Sequence, residues 1–169
     1  GPRSCYDESK RLGETLCYVY NKKYNINTKI IRPFNIYGPG MSIFSDYRMI
    51  PNLIKSALRK EPVNIYGTGN QTRTFCYYTD AIDGIIKVIK IGAAGDTYNI
   101  GNDKPEISMI DLVKLFGETI NIDLSFILTP YPDYYPNDEP KRRLASIEKA
   151  RKNLNFNPKV TLEAGLKKT

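Results

Sequence analysis

A phenol and an ammonium group four residues apart, in Tyr6-Asp-Glu-Ser-Lys10, form the first pair in this sequence that could move a proton. On a helix, positions i and i+4 share a face, so both groups can address one site. A free tyrosine titrates near pH 10 and is a poor base at neutrality. A cation held beside it favours the phenolate, which is what a tyrosine general base requires. Spacing alone does not single the pair out, because the chain has 13 tyrosines and a second such pair, Tyr18 and Lys22, which reads as surface decoration. Composition narrows the chemistry further. The 169 residues contain no histidine, so a Ser-His-Asp triad, a histidine base and a histidine-ligated metal are excluded within them. Proton transfer falls to tyrosine, lysine or a carboxylate, and no metal site is expected.

The elements that must position these groups follow from periodicity. Residues 6–24 read as a helix with Leu12, Leu16, Val19 and Tyr20 on one face. Residues 28–32 form a strand stopped by Pro33, and 35–47 a loop around Gly38-Pro39-Gly40. A helix over 50–60 precedes a strand over 63–66. Gly67 to Gln71 reads as a hairpin turn, since Gly67 and Gly69 lack the third glycine of a phosphate-cradling fingerprint. A strand over 73–77 leads to a helix capped by Thr79 and ending near Ile91. A strand over 98–101 precedes a helix from Ser108 to Ile120, with Asp111 completing a capping pair. Residues 125–128 are extended. Residues 130–140 form a proline- and tyrosine-rich segment in which Tyr131, Tyr134 and Tyr135 read as a packed loop. Helices over 146–154 and from Thr161 end the chain. This alternation predicts an α/β class.

With 41% hydrophobic residues, 169 positions can bury the core of one domain. The net charge of +7 is carried by scattered Lys and Arg, which suits a small anionic ligand and offers no nucleic-acid motif. No run of eighteen apolar residues and no apolar leader is present, so no membrane partner is expected. Three cysteines without CxxC spacing read as reduced, buried or half-buried thiols, consistent with a cytoplasmic setting.

Beyond spacing, the run Gly1-Pro-Arg-Ser-Cys-Tyr6-Asp-Glu-Ser-Lys10-Arg11 with Glu14-Thr15 closely resembles the active-site helix of UDP-glucuronate decarboxylases, in the extended short-chain dehydrogenase/reductase family. Further segments match that family in order. Arg32-Pro-Phe34-Asn35-Ile36-Tyr-Gly-Pro39 resembles the strand and loop over the nicotinamide and the sugar. Ile50-Pro-Asn52-Leu53-Ile54 resembles the helix that contacts the nucleotide. Tyr66-Gly-Thr-Gly-Asn-Gln71-Thr-Arg73-Thr-Phe75, Tyr78-Thr-Asp80 and Tyr98-Asn99-Ile-Gly101 complete the series. Lys141-Arg142-Arg143-Leu-Ala-Ser-Ile147 resembles the decarboxylase segment whose arginine meets the substrate carboxylate, although Leu144-Ala145 and Asn155-Phe156 replace the usual Lys-Pro and Gly-Trp.

The resemblance implies NAD as cofactor and a UDP-sugar as substrate. Tyr6 and Lys10 would be catalytic and would touch the cofactor, with Phe34 and Ile36 beside the nicotinamide. Arg143 would hold the substrate carboxylate. Asn35, Arg48, Asn52, Leu53, Tyr66, Gln71 and Arg73 would bind the rest of the substrate. The implied fold is the carboxy-terminal part of a Rossmann-type doubly wound sheet plus a small substrate-binding subdomain. About 1–34 and 73–101 would belong to the Rossmann-like part, and about 35–72 and 102–169 to the nucleotide-sugar part. The family's glycine-rich fingerprint and its Thr/Ser-Ser-Glu segment do not occur in these residues. The chain is therefore expected to be the carboxy-terminal half of a longer enzyme and not to turn over alone. A homodimer through the Tyr6–Tyr24 helix is also implied. The 4,6-dehydratases and 4-epimerases share the fold, the cofactor and the Tyr-Lys pair, and a nucleotide-sugar binding module without catalysis is the non-enzymatic alternative.

Overall fold

The computed structural model of the chain describes residues 4–43, 48–131 and 140–169. Tyr134 and Tyr135 of the tyrosine-rich loop lie outside the described residues, as do Gly1–Arg3 of the first motif. Helix α1 (Ser4–Tyr24) leads to β1 (Ile30–Pro33), β2 (Ile36–Tyr37), α2 (Met49–Arg59), β3 (Val63–Tyr66), β4 (Thr72–Arg73), β5 (Cys76–Tyr77) and α3 (Tyr78–Ile91). There follow β6 (Thr97–Ile100), β7 (Ile107–Ser108), α4 (Met109–Ile120), β8 (Phe126–Thr129), β9 (Arg142–Arg143), α5 (Glu148–Leu154) and α6 (Leu162–Lys168). Three ladders, β1–β6, β2–β5 and β3–β8, are parallel. A small sheet orders β7–β4–β9, with β4 antiparallel to β7 and parallel to β9. Parallel pairs joined through helices give the expected α/β class.

Local chemistry explains where the helices begin and end. Ser108 Oγ accepts the Asp111 N–H at 3.0 Å and donates to Asp111 Oδ2 at 2.6 Å, so α4 starts on the predicted capping pair. Thr161 likewise accepts the Ala164 N–H at 3.2 Å and starts α6. Helices α2 and α4 end on Lys60 and Asn121, both in the left-handed conformation that closes a last turn. Three expectations are corrected. Thr79 does not cap α3, because the helix begins at Tyr78 with Tyr77 at its N-cap and no side-chain cap bond there. Gly67 and Gly69 do not close a hairpin, since β3 pairs with β8 while β4 pairs with β7 and β9. The strand expected over 73–77 splits into β4 and β5, which join different sheets, the segment read as loop over 35–47 contains the short strand β2, and β9 forms where no strand was expected.

Two buried clusters hold the elements together. One gathers Tyr37, Ile50, Leu53, Val63, Ile65, Leu112, Phe116 and Leu166 from β2, α2, β3, α4 and α6. The other gathers Cys76, Val88, Tyr98, Ile100, Ile147, Leu154 and Phe156, so residues 147–156 pack with α3 and β6 across the expected division of the chain. Asp80, only 8% exposed, accepts the Lys159 and Val160 N–H groups at 2.9 and 2.8 Å and fixes the approach to α6. Helix α1 is turned the other way. Its half-buried side is polar: Glu14 binds Arg32, the Cys17 carbonyl accepts the Thr28 hydroxyl at 2.8 Å, and Asn21 donates to the Ile26 carbonyl at 2.9 Å. Its apolar stripe, Leu12, Leu16, Val19 and Tyr20, is 40–59% exposed. Among the described residues no helix is long and apolar enough to cross a membrane.

Candidate functional site

The carboxyl ends of the parallel strands meet at a cavity of about 430 Å³. Asn35 and Ile36 come just after β1, Tyr66 ends β3, Tyr131 follows β8, and Arg73 and Arg143 end β4 and β9; all line it. Open α/β sheets bind ligands at this end of their strands. The amino-terminal turn of α2, from Arg48 to Asn52, supplies another wall, and Ile65, Phe75 and Met109 an apolar floor.

The charge on this wall is one-sided. Arg48, Arg73 and Arg143 line the cavity, and among the described lining residues none is acidic. Arg73 and Arg143 are direct partners across the β4–β9 ladder. Like charges set opposite each other repel, and an anion between them offsets that repulsion. The α2 amino terminus adds the positive end of a helix dipole, with no acidic residue in its first turn. Guanidinium groups and a helix amino terminus of this kind suit a phosphate or carboxylate.

Arg142 shows why only one of two adjacent arginines serves. Neighbouring residues on a strand project to opposite faces, and Arg142 Nε and Nη2 donate to Glu106 Oε1 and Oε2 at 2.7 and 2.8 Å. With Thr72 also donating, these bonds hold the Glu106 carboxyl down to about 2. That cluster ties β9 to the β7 end of the sheet and leaves Arg143 facing the cavity.

The amides are positioned by the protein itself. Asn35 Nδ2 donates to the Thr74 carbonyl at 2.7 Å, Asn52 Nδ2 to the Asn64 carbonyl at 3.1 Å, and Gln71 Nε2 to the Tyr66 carbonyl at 2.9 Å. Their oxygens are the acceptors this wall can present to ligand hydroxyl or N–H groups. Asn35 sits at φ 43°, a left-handed conformation asparagine tolerates, immediately before β2. Arg73 Nη1 donates to the Thr72 carbonyl at 2.8 Å, which orients its guanidinium.

Not every residue named from the sequence reaches the cavity. The Leu53 side chain is fully buried in the first core cluster, so it supports the wall of α2 without lining it. Phe34 is half-buried after β1 and packs on Gly101, where a Cβ would stand 2.9 Å from the Phe34 Cβ. Tyr6 and Lys10 are not on the cavity wall. They share one exposed face of α1, with Lys10 Nζ 5.3 Å from the Tyr6 ring centroid and Tyr6 58% exposed. Tyr18 and Lys22 have nearly the same geometry at 5.9 Å, so the spacing alone is no signature. Cys5 is exposed, against the expectation of a buried or half-buried thiol, while Cys17 is intermediate and Cys76 buried.

Sequence reasoning did not single out Asn64, which lines the cavity, and it read Tyr131 as part of a packed loop and Asp80 only as part of a motif. Tyr131 stood in a segment whose proline and tyrosine content gave no periodicity, and it lines the cavity. Two other groups are unfit for proton transfer. Burial pushes the Tyr37 phenol well above its ordinary range while its hydroxyl donates to the Leu162 carbonyl, and burial pushes the Cys76 thiol up to about 12.

Comparison with known proteins places the chain. Residues 1–101 match the model of the NAD dependent epimerase/dehydratase family. The chain is similar to UDP-glucuronic acid decarboxylase 2 of Arabidopsis thaliana, 40% identical over 98% of this chain and 36% of that protein. It is also similar to UDP-glucuronic acid decarboxylase 1 of Xenopus tropicalis, 36% identical over all of this chain and 38% of that protein. Among solved structures, UDP-glucuronic acid 4-epimerase from Bacillus cereus in complex with UDP-glucuronic acid and NAD superposes with a TM-score of 0.81. It is 33% identical, over 92% of this chain and 48% of that one. The chain spans between 36 and 47% of the length of the curated relatives it matches. It belongs to the NAD dependent epimerase/dehydratase family.

Proposed function

We propose that the chain is the substrate-binding portion of an NAD-dependent enzyme that decarboxylates UDP-glucuronate to UDP-xylose or to the 4-keto sugar. The observation that carries this reading is Arg143 beside Arg73 on the wall of a cavity whose described lining holds three arginines and no acidic residue. Both guanidinium groups line the cavity, and a planar guanidinium matches the geometry of phosphate and carboxylate oxyanions. The similarity to decarboxylases of two organisms supports the same substrate. A 4-epimerase acting on the same sugar is the second reading, favoured by the likeness to the Bacillus cereus enzyme.

NAD, when bound, supplies a reversible hydride acceptor. The residues present fit its nicotinamide end: Phe34 and Ile36 are half-buried at the carboxyl end of β1, where a parallel sheet leaves its crevice. In the whole enzyme Tyr6 would take the proton of the sugar 4-hydroxyl while the hydride of C4 would pass to NAD, and Lys10 stands over the Tyr6 ring. The resulting ketone is β to the C5 carboxylate, so carbon dioxide would leave with the electron pair passing to the ketone oxygen; a proton at C5 then gives the 4-keto sugar, and return of the hydride to C4 with a proton to O4 gives UDP-xylose. Arg143 orients that carboxylate, and Asn35, Asn52 and Gln71 present their amide oxygens to the ligand. Residues 35–72 and 102–169 hold the nucleotide sugar in this reading, with the activity assigned to the whole enzyme. The outward apolar stripe of α1 supports a homodimer through that helix.

The test is discrimination by Arg143. The full-length enzyme with NAD is expected to bind UDP-glucuronate more tightly than UDP-glucose, and Arg143→Ala to remove about tenfold to a hundredfold of that preference. An unchanged preference in the variant would place the carboxylate elsewhere.

A further inference from the structure

Three contacts tie α1 to the segment that follows it, and they run in order. Asn21 donates to the Ile26 carbonyl, the Cys17 carbonyl accepts the Thr28 hydroxyl, and Glu14 meets Arg32 on β1. As α1 is followed back toward its amino terminus the partner moves forward along the chain, so α1 and β1 run antiparallel. The last contact is a fork, in which Arg32 Nε and Nη2 donate to Glu14 Oε1 and Oε2 at 2.6 and 2.5 Å. Every residue of α1 before it, from Ser4 to Gly13, is exposed, and Glu14 is the first that is half-buried. Tyr6 and Lys10 stand in that exposed stretch, at the spacing from Glu14 that keeps side chains on one face. Lengths along the two elements agree. Tyr6 lies about 12 Å from Glu14 along the helix axis at ~1.5 Å per residue. Asn35 lies at most about 10 Å beyond Arg32 along the chain. Both run from the fork in the same direction, and Asn35 and Ile36 line the cavity.

We propose that the Glu14–Arg32 ion pair is the positioning contact for proton transfer: it fixes the height and rotation of α1 against β1, and so sets Tyr6 and Lys10 level with the ligand at the end of that strand. This deepens the nucleotide-sugar reading and rests on it. Arg32 is a firm reference, because the β1–β6 ladder holds it opposite Asn99 and the Phe34 N–H continues that ladder to the Ile100 carbonyl at 2.9 Å. Exposure makes geometry, not stability, the role of the pair. The Arg32 and Glu14 side chains are 51% and 30% exposed, and ion pairs this open to water add little to folding stability. A guanidinium–carboxylate fork nevertheless fixes the direction of both side chains. A Cβ built on Gly13 would meet nothing within 4 Å, so packing at that position does not guide the turn before Glu14. Among the described residues none of α1 lines the cavity. Loss of the fork therefore displaces the proton-transfer groups and leaves the binding wall in place.

The experiment compares the full-length enzyme with NAD as wild type, Glu14→Ala, Arg32→Ala, the double variant and Tyr6→Phe. It reads turnover of UDP-glucuronate, calorimetric titration with UDP, and thermal melting. Glu14→Ala and Arg32→Ala are each expected to lower kcat about tenfold to a hundredfold, since misplacement by about 1 Å costs on the order of a hundredfold. KM and the affinity for UDP are expected to stay within about twofold, and the melting temperature within about 3 °C. The double variant is expected to match the single variants, because both remove the same contact. Tyr6→Phe is expected to lose more turnover than either and to keep its affinity for UDP. The proposal is overturned if kcat is unchanged in Glu14→Ala, or if the two single losses multiply in the double variant. It is equally overturned if UDP affinity or melting temperature falls along with kcat, since the pair would then serve the fold at large. Unchanged turnover in Tyr6→Phe would remove proton transfer from α1 and the proposal with it. Failure of the decarboxylase reading looks different: the product is an epimer of unchanged mass, and its formation still slows in Glu14→Ala.

Discussion

Glu106 carries the pH dependence that the site's geometry implies. Its hydrogen bonds from Arg142 and Thr72 hold the folded carboxyl at about 2, against roughly 4.3 for an unfolded glutamate. A carboxyl depressed in the folded state stabilises fully above its unfolded value and loses that contribution as pH falls through its folded value. The cluster is therefore intact at neutrality and released between about pH 4.3 and about 2. Glu106→Gln is expected to melt lower than wild type at neutral pH and to lose less melting temperature across that acid window. Equal acid slopes for the two proteins would show that the cluster does not stabilise the β7–β4–β9 sheet. At this scale the sequence was legible where a motif named the residue. Seven of the residues expected to bind the substrate, Asn35, Arg48, Asn52, Tyr66, Gln71, Arg73 and Arg143, line the cavity. The Leu53 side chain lies in the core and not on the cavity wall, because sequence places a residue on a helix without saying which side its side chain faces. Tyr131 was read as part of a packed loop because its place on the cavity wall depends on a ladder register and on Gly67, neither of which has a local signal.

At the scale of elements, the long amphipathic helices and the apolar strands were readable, and the two-residue strands were not. A two-residue strand is too short to display the alternation that would reveal it, and β4 and β5 are defined only by distant partners. Asp80 belongs to the same class: its acceptors' partners, Lys159 and Val160, are supplied from the far end of the chain. The packing of α6 offers a sharp test of how such distant contacts hold the site. A Cβ on Gly165 would stand 2.0 Å from the Tyr37 hydroxyl oxygen, which itself donates to the Leu162 carbonyl. Gly165→Ala is expected to cost about 1–3 kcal/mol through overpacking. Tyr37→Phe removes the obstructing oxygen at a cost of about 1 kcal/mol, so the double variant should lose less stability than the two single losses together. Strict additivity in denaturant titrations would mean that the hydroxyl is not what Gly165 accommodates.

For the whole molecule, the informative feature is a helix packed by its polar side. Glu14, Cys17 and Asn21 tie α1 to the body while Leu12, Leu16, Val19 and Tyr20 face outward. The periodicity located this stripe, but sequence gave no way to tell a face turned to the chain's own core from one turned outward. If α1 is a dimer contact, light scattering should give twice the subunit mass for the full-length protein, and Leu16→Glu should reduce it to the monomer by placing a charge in the apolar seam. A monomeric wild type would remove that role from α1. The α/β class, the family and most of the cavity wall could be read in advance because ordered motifs span the chain. The orientation of Arg142 away from the cavity and the crossing of residues 147–156 into the second core required the folded molecule.

The central claim is the reaction, and mass spectrometry of the nucleotide sugar tests it most directly. The full-length enzyme would be incubated with NAD and UDP-glucuronate, with UDP-glucose and dTDP-glucose in parallel. The account predicts loss of carbon dioxide from UDP-glucuronate and no change in the neutral sugars. Loss of water from a neutral sugar, or an epimerised UDP-sugar of unchanged mass, would contradict it.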